Sequence, residues 1–153
     1  MDFVTPFIEW LLQSDYIKKN KLFFNAVKAQ NGNIQIVLQP VSQNQTKTYI
    51  DGSKFYPLTF YISSFKAANY NPLIESKISS DENLGGMLDV SQIIEFVEKM
   101  NEEKNFPVFS KKITVEKVYC QYNTPPVPAF DGGLTPLLAK FSIPVVFEVL
   151  EDA

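Results

Sequence analysis

Apolar and polar positions alternate along this chain in an order that predicts a mixed helix and sheet fold. Phe7, Trp10 and Leu11 recur at the i, i+3, i+4 spacing, and Ile8 and Leu12 widen the stripe, so the first segment reads as an amphipathic helix. Thr5 is the expected cap and Pro6 the first helical residue, where a missing N–H costs nothing. The pattern fades at Ser14 and Asp15. Residues 22–28 form a short apolar run with strand character, Asn31-Gly32-Asn33 signals a turn, and the β-branched segment 34–39 reads as a second strand. Residues 46–50 and 55–67 flank Asp51-Gly52, a strong hairpin signal because both residues tolerate positive φ. Asp51 therefore has a conformational role that needs no chemistry.

The second half continues the alternation. Residues 68–88 carry Asn69, Asn71, Pro72, Gly85 and Gly86 and read as an irregular connection. Asp89-Val90-Ser91-Gln92 then has the form of a capping box. Behind it Val90, Ile93, Ile94, Val97 and Met100 make an apolar stripe, so a helix is predicted over 89–105, ended by Phe106-Pro107. In residues 112–122 the apolar parity switches near Glu116-Lys117, the mark of a β-bulge. A stiff proline-rich loop over 124–138 precedes a last strand, 139–150, in which Phe141, Ile143, Val145, Phe147 and Val149 share one face. Pro144 cannot donate to a ladder and demotes this strand toward an edge. The expectation is one α+β domain over 1–153: a mostly antiparallel twisted sheet, with an N-terminal helix and one amphipathic helix packed on one face, and long loops.

Composition narrows the function. No histidine is present, which excludes Ser-His and Cys-His nucleophiles and imidazole zinc sites. The lone Cys120 cannot form an internal disulfide or a thiolate cluster, and between Tyr119 and Gln121 it reads as a small buried hydrophobe. No carboxylate pair is placed for general acid–base work, so no enzyme, cofactor or metal is expected. The net charge of −3 argues against coating nucleic acid, and Lys18, Lys19 and Lys21 read as solvated charge. No basic leader with an apolar run and no span of roughly 20 apolar residues is evident, so no signal peptide and no membrane partner are expected. With 13 Phe and 7 Tyr, aromatics exceed what a small core hides, and the surplus points to interfaces.

Three segments carry a family resemblance. Lys47-Thr48-Tyr49-Ile50-Asp51-Gly52-Ser53 leads into an aromatic strand. Ile93-Ile94-Glu95-Phe96-Val97-Glu98-Lys99-Met100-Asn101 is followed by Asn105-Phe106-Pro107, and an alternating strand closes the chain. Together they resemble the phage tail terminator family, some members of which are labelled minor capsid or tail-completion proteins. Two features depart from the family pattern: Phe96 stands where a tryptophan is expected, and the proline-rich loop is long. The resemblance implies a non-enzymatic virion protein at the tail–neck junction, made in the host cytoplasm. It forms a homo-oligomeric ring, a hexamer, that caps the tail tube and contacts the tube protein, the neck or connector protein and, in contractile tails, the sheath. DNA only passes through such a ring, which suits a negative chain.

On exposure arguments the tube- or neck-contact loop is assigned to Val127, Phe130, Asp131 and Leu134. The subunit interface is assigned to sheet edges at Phe55, Tyr56, Tyr122 and Pro144. Rival readings are a head-closure or a sheath or baseplate initiation protein, and a single-stranded nucleic-acid binder stacking bases on Tyr119, Tyr122 and Phe65.

Overall fold

The computed structural model describes residues 1–24, 33–67, 73–80, 82–121, 129–130 and 138–153. The architecture is α+β. Its strands are β1 (Lys21–Phe24), β2 (Asn33–Leu38), β3 (Lys47–Thr48), β4 (Lys54–Ala67), β5 (Ile113–Cys120), β6 (Ala129–Phe130) and β7 (Leu138–Glu151). They form one sheet in the order β1-β2-β4-β7-β5, with β3 beside β4 and β6 beside β7. Every pairing is antiparallel except that of β1 with β2. Helices α1 (Val4–Leu11), α2 (Asp15–Lys18) and α3 (Glu82–Glu102) complete the fold, with short 3₁₀ turns at Gln43–Gln45 and Glu75–Ser80.

The sheet is built around β4 and β7, which pair from Lys54↔Glu151 to Ala67↔Leu138. Side chains alternate faces along a strand, so Tyr56, Leu58, Phe60 and Ile62 fall opposite Val149, Phe147, Val145 and Ile143 on one side. All eight are buried. On this face α1 contributes Phe7, Trp10 and Leu11, and α3 contributes Val90, Ile93, Val97 and Met100, as the apolar stripes require. Phe7 stacks on Phe60 with ring centroids 3.8 Å apart and meets Phe147 edge-on at 5.8 Å. Trp10 is a core residue, and its Nε1 donates to the Asn105 carbonyl at 2.7 Å, tying α1 to the chain just beyond α3.

Both helix starts lie earlier than the sequence pattern predicts. Asp2 rather than Thr5 serves α1, since its Oδ1 accepts from the Val4 and Thr5 amides at 2.9 and 3.1 Å. Pro6 stays within the first turn, where its nitrogen has no helical acceptor to lose. Helix α3 begins at Glu82, so the apparent capping box lies inside it. Asp89 instead meets Lys66, Oδ2 to Nζ at 2.8 Å, and the Ser91 hydroxyl donates back to the Met87 carbonyl. Gly86 explains the misleading glycine pair: a Cβ there would stand 2.2 Å from the Phe141 ring, so only glycine lets α3 approach β7 this closely. At the other end Lys104 adopts φ 52° and the Asn105 amide reaches the Met100 carbonyl, closing the helix before Phe106-Pro107.

The predicted bulge is present, since Val115 pairs with Val149 and Lys117 with Glu148, leaving Glu116 as the extra residue. Pro144, however, does not mark an edge. Strand β7 runs between β4 on one side and β5 and β6 on the other. The Gln121 amide donates to the Pro144 carbonyl at 3.0 Å, so this residue's polar groups face the point where β5 has already ended. In an antiparallel strand the N and O of one residue point the same way. The missing donor therefore falls beyond the ladder and breaks no bond with β4.

The two helical glycines give opposite expectations. Gly86→Ala should destabilise the protein by about 1–3 kcal/mol through forced movement of Phe141. Gly85→Ala, where nothing lies within 4 Å, should stabilise it by about 0.5–1 kcal/mol. Urea unfolding of the two variants measures both.

Candidate functional site

The hairpin between β3 and β4 carries the most exposed large apolar side chain among the described residues, Ile50. The Tyr49 amide donates to the Ser53 carbonyl, and the Gly52 amide to the Tyr49 carbonyl, at 2.9 and 3.0 Å. Asp51 Oδ1 accepts from the Ser53 amide at 2.9 Å and from its hydroxyl at 2.6 Å, bonds that hold its carboxyl below the usual range. With Gly52 at φ 88°, Asp51 is spent on the turn. Tyr49 and Ile50 are thereby held out into solvent, Ile50 with no cover at all.

Open recesses flank the base of this hairpin. On the helix-bearing face a recess of about 660 Å³ is lined by Val41, Thr46, Thr48, Lys54, Tyr56 and Glu151, together with residues at the chain start. In it the Tyr56 hydroxyl donates to Glu151 Oε2 at 2.9 Å. Burial, followed by the adjoining carboxylate, pushes this hydroxyl far above its ordinary range. On the opposite face a recess of about 490 Å³ is bounded by Tyr49, Ser53, Phe55, Glu116 and Leu150.

Inside the fold, Tyr16 of α2, Ser64 and Lys66 of β4 and Asp89 of α3 form a polar knot. Burial pushes the Tyr16 hydroxyl up to about 12, with a smaller raising effect of Asp89, while the nearby Ser64 Oγ is buried without a hydrogen-bond partner among the described residues. Cys120 packs against the core, and burial, aided by the charge of Glu98, pushes its thiol up to about 12. A thiol so protonated at neutral pH is no nucleophile. Among the described residues no group of three metal-ligating side chains is assembled, and no helix is long and apolar enough to cross a membrane.

The residues assigned from sequence are not gathered in one place. Val127, Asp131, Leu134 and Tyr122 lie outside the described residues. Phe130 belongs to β6, its backbone paired with Ala139. Phe55 is half-buried on the sheet face turned away from the helices, opposite Leu150. Tyr56 does not project from an edge: it is buried under the helices, because its parity in β4 is that of Phe60. Pro144, on the other face, is half-buried in a central strand. Of the proposed stacking platform, Phe65 is only 7% exposed, Tyr122 lies outside the described residues, and Tyr119 is half-buried with Lys117 Nζ 5.0 Å from its ring centroid.

Sequence reasoning missed Tyr49 and Ile50 as exposed groups. The available signal was an aromatic and a β-branched residue directly preceding Asp-Gly, where a solvated turn favours polar side chains.

Compared with known proteins, the chain matches no family model, and no curated protein is similar to it.

The polar knot sets an alkaline limit. Unfolded, Tyr16 releases its proton near pH 10, whereas folded it holds the proton to about 12. Its contribution to stability is thus complete below pH 10 and is lost as pH rises to 12. Tyr16→Phe should flatten the fall in stability over this interval, measured by urea midpoints between pH 9 and about 12.

Proposed function

We propose that this chain is a structural subunit of a tailed-phage particle: a tail terminator whose copies form a ring, hexameric by resemblance, that caps the tube and joins it to the neck. The observation that supports this most directly is the one-sided fold. Helices cover one face of a long sheet, while the other face, although Ser63, Phe65 and Val146 are already buried on it, carries the half-buried Phe55, Pro57, Tyr119, Pro144 and Leu150 and the exposed Tyr61. The adjoining hairpin tip adds Tyr49 and Ile50. An apolar surface of this kind, continuous with a rigid projecting turn, fits contact with other protein subunits. The chemistry agrees: the shifted tyrosines and Cys120 are held in their neutral forms, which suits architecture over catalysis.

The contact loop of this reading is 124–138, through Val127, Phe130, Asp131 and Leu134. Its subunit contacts use the outer face at Phe55 and Pro144 together with Tyr122. Tyr56, buried under the helices, takes no part in these contacts. The ring's partners are the tube protein and the neck protein, with DNA passing through the lumen.

Electron microscopy of particles made without this chain tests the proposal. Overlong or unjoined tails are expected; leaking heads would instead indicate head closure, and complete absence of tails would indicate sheath or baseplate initiation. In the same system Ile50→Asp should leave the fold intact, since the side chain touches nothing in the monomer, and should reduce the yield of joined particles at least about tenfold.

A further inference from the structure

We propose that copies of this chain associate head to tail, the β1 edge of one against the β5 edge of the next, and that opposite charge sets this direction. The contact rests on the ring reading only for closure; the association itself is argued from the sheet. Strands β1 and β5 are its two lateral members. Among the described residues, neither has a strand beyond it, and lateral strands left this way invite a partner.

The two edges differ in charge. Along the first, α2 lies against β1 and exposes Lys18, Lys19 and Lys21, with Asp15 offsetting part of the positive charge. The half-exposed ring of Phe24 adds apolar surface there. Along the second, the C-terminal half of α3 lies on β5. Asn101 Oδ1 accepts from the Val118 amide at 3.0 Å, and Glu98 lies close enough to Cys120 to act on its thiol. Here Glu95, Glu98, Glu102 and Glu103 are exposed, and Glu116 stands out at the bulge. Lys99, Lys104 and Lys117 offset some of this charge, and Lys111 and Lys112 are exposed just before β5, so the carboxylate excess is confined to the part of this edge beside the C-terminal half of α3.

This arrangement favours one kind of contact. Asn101 occupies an outward amide of β5 and the bulge interrupts its ladder, so a neighbouring strand cannot simply extend the sheet. The copies meet instead through side chains. Basic edge against basic edge, or acidic against acidic, is repulsive, which disfavours two-fold pairing at either edge. Basic edge against acidic edge is attractive and heterologous, the class of contact that closes into rings when the rotation fits.

The test uses two full-length variants, Lys18→Glu/Lys19→Glu/Lys21→Glu and Glu95→Lys/Glu98→Lys/Glu102→Lys. All six side chains are solvent-exposed, and circular dichroism confirms folding before use. The first variant carries acid on both edges and the second carries base on both. Each alone should self-associate at least about tenfold more weakly than the wild type. Their equimolar mixture should assemble in alternation, and salt should dissolve that assembly as it rises from about 0.05 to 0.5 M. Light scattering with size-exclusion chromatography reads all of these masses. A mixture no heavier than its separate components, or variants that each assemble like the wild type, would overturn the contact. The ring reading fails separately, on the morphology of particles lacking the chain.

Discussion

The antiparallel pairing of β4 with β7 is the constraint on which the remaining structure depends. Over fourteen consecutive pairs it fixes which residues face the helices, because a one-residue slip would turn every side chain to the other side. In the observed register Phe60 and Phe147 lie diagonally across the two strands on the same face. Phe7 and Trp10 then descend on them, giving the Phe7–Phe60 stack and edge contacts of both Phe7 and Trp10 with Phe147. Each such aromatic pair adds about 0.5–1.5 kcal/mol beyond area burial. The position of α1 is thus a consequence of sheet register, and the position of α3 follows from Gly86 meeting Phe141 in the same strand.

The opposite face of this pairing obeys a different rule. Ser63 and Ser142 share a hydrogen bond at 2.8 Å across it, and Lys117 lies 3.7 Å from Glu148. The Lys117–Glu148 pair tolerates water, Ser63 is already buried, and Phe55, Pro57, Tyr61 and Leu150 on the same face gain from removal of water. A face mixed in this way suits association without demanding permanent burial. Its character depends on parity alone: Tyr56 and Phe55 are neighbours in sequence, yet one is core and the other is available to a partner.

Much of this was legible in the amino-acid sequence because it depends on short-range periodicity. The stripe of Phe7, Trp10 and Leu11, the turn at Asp51-Gly52, the parity switch at Glu116 and the alternation from Phe141 to Val149 each declare themselves within a few residues. What was hidden depends on partners distant in the chain. Gly85-Gly86 reads locally as a breaker, and only Phe141 reveals why a helix keeps a glycine there. Pro144 reads as an edge residue until the end of β5 is placed beside it. The parallel pairing of β1 with β2 has no local signature either. The surface residues suffered most from this limit. Exposure arguments place Tyr56 at an edge, although the alternation that buries Phe60 and Ile62 already puts it on the inner side.

The electrostatics of the fold bear on its role more strongly than any single recess does. A catalytic group must exchange a proton near the working pH, so its environment brings its pKa toward neutrality. Here burial drives the tyrosine and cysteine side chains the other way. Tyr16 and Cys120 are pushed up to about 12, Tyr56 is raised further, and Tyr119 is raised beside Glu148. The lowered carboxyls, Asp2 and Asp51, belong to a helix start and a turn. Each of these groups therefore keeps one protonation state across the physiological range and acts as a fixed donor, acceptor or charge. Such fixed groups suit the proposed assembly. The proposed contact, with Lys18, Lys19 and Lys21 on one edge and carboxylates on the other, is one that ionic strength governs, since exposed charges are screened by salt.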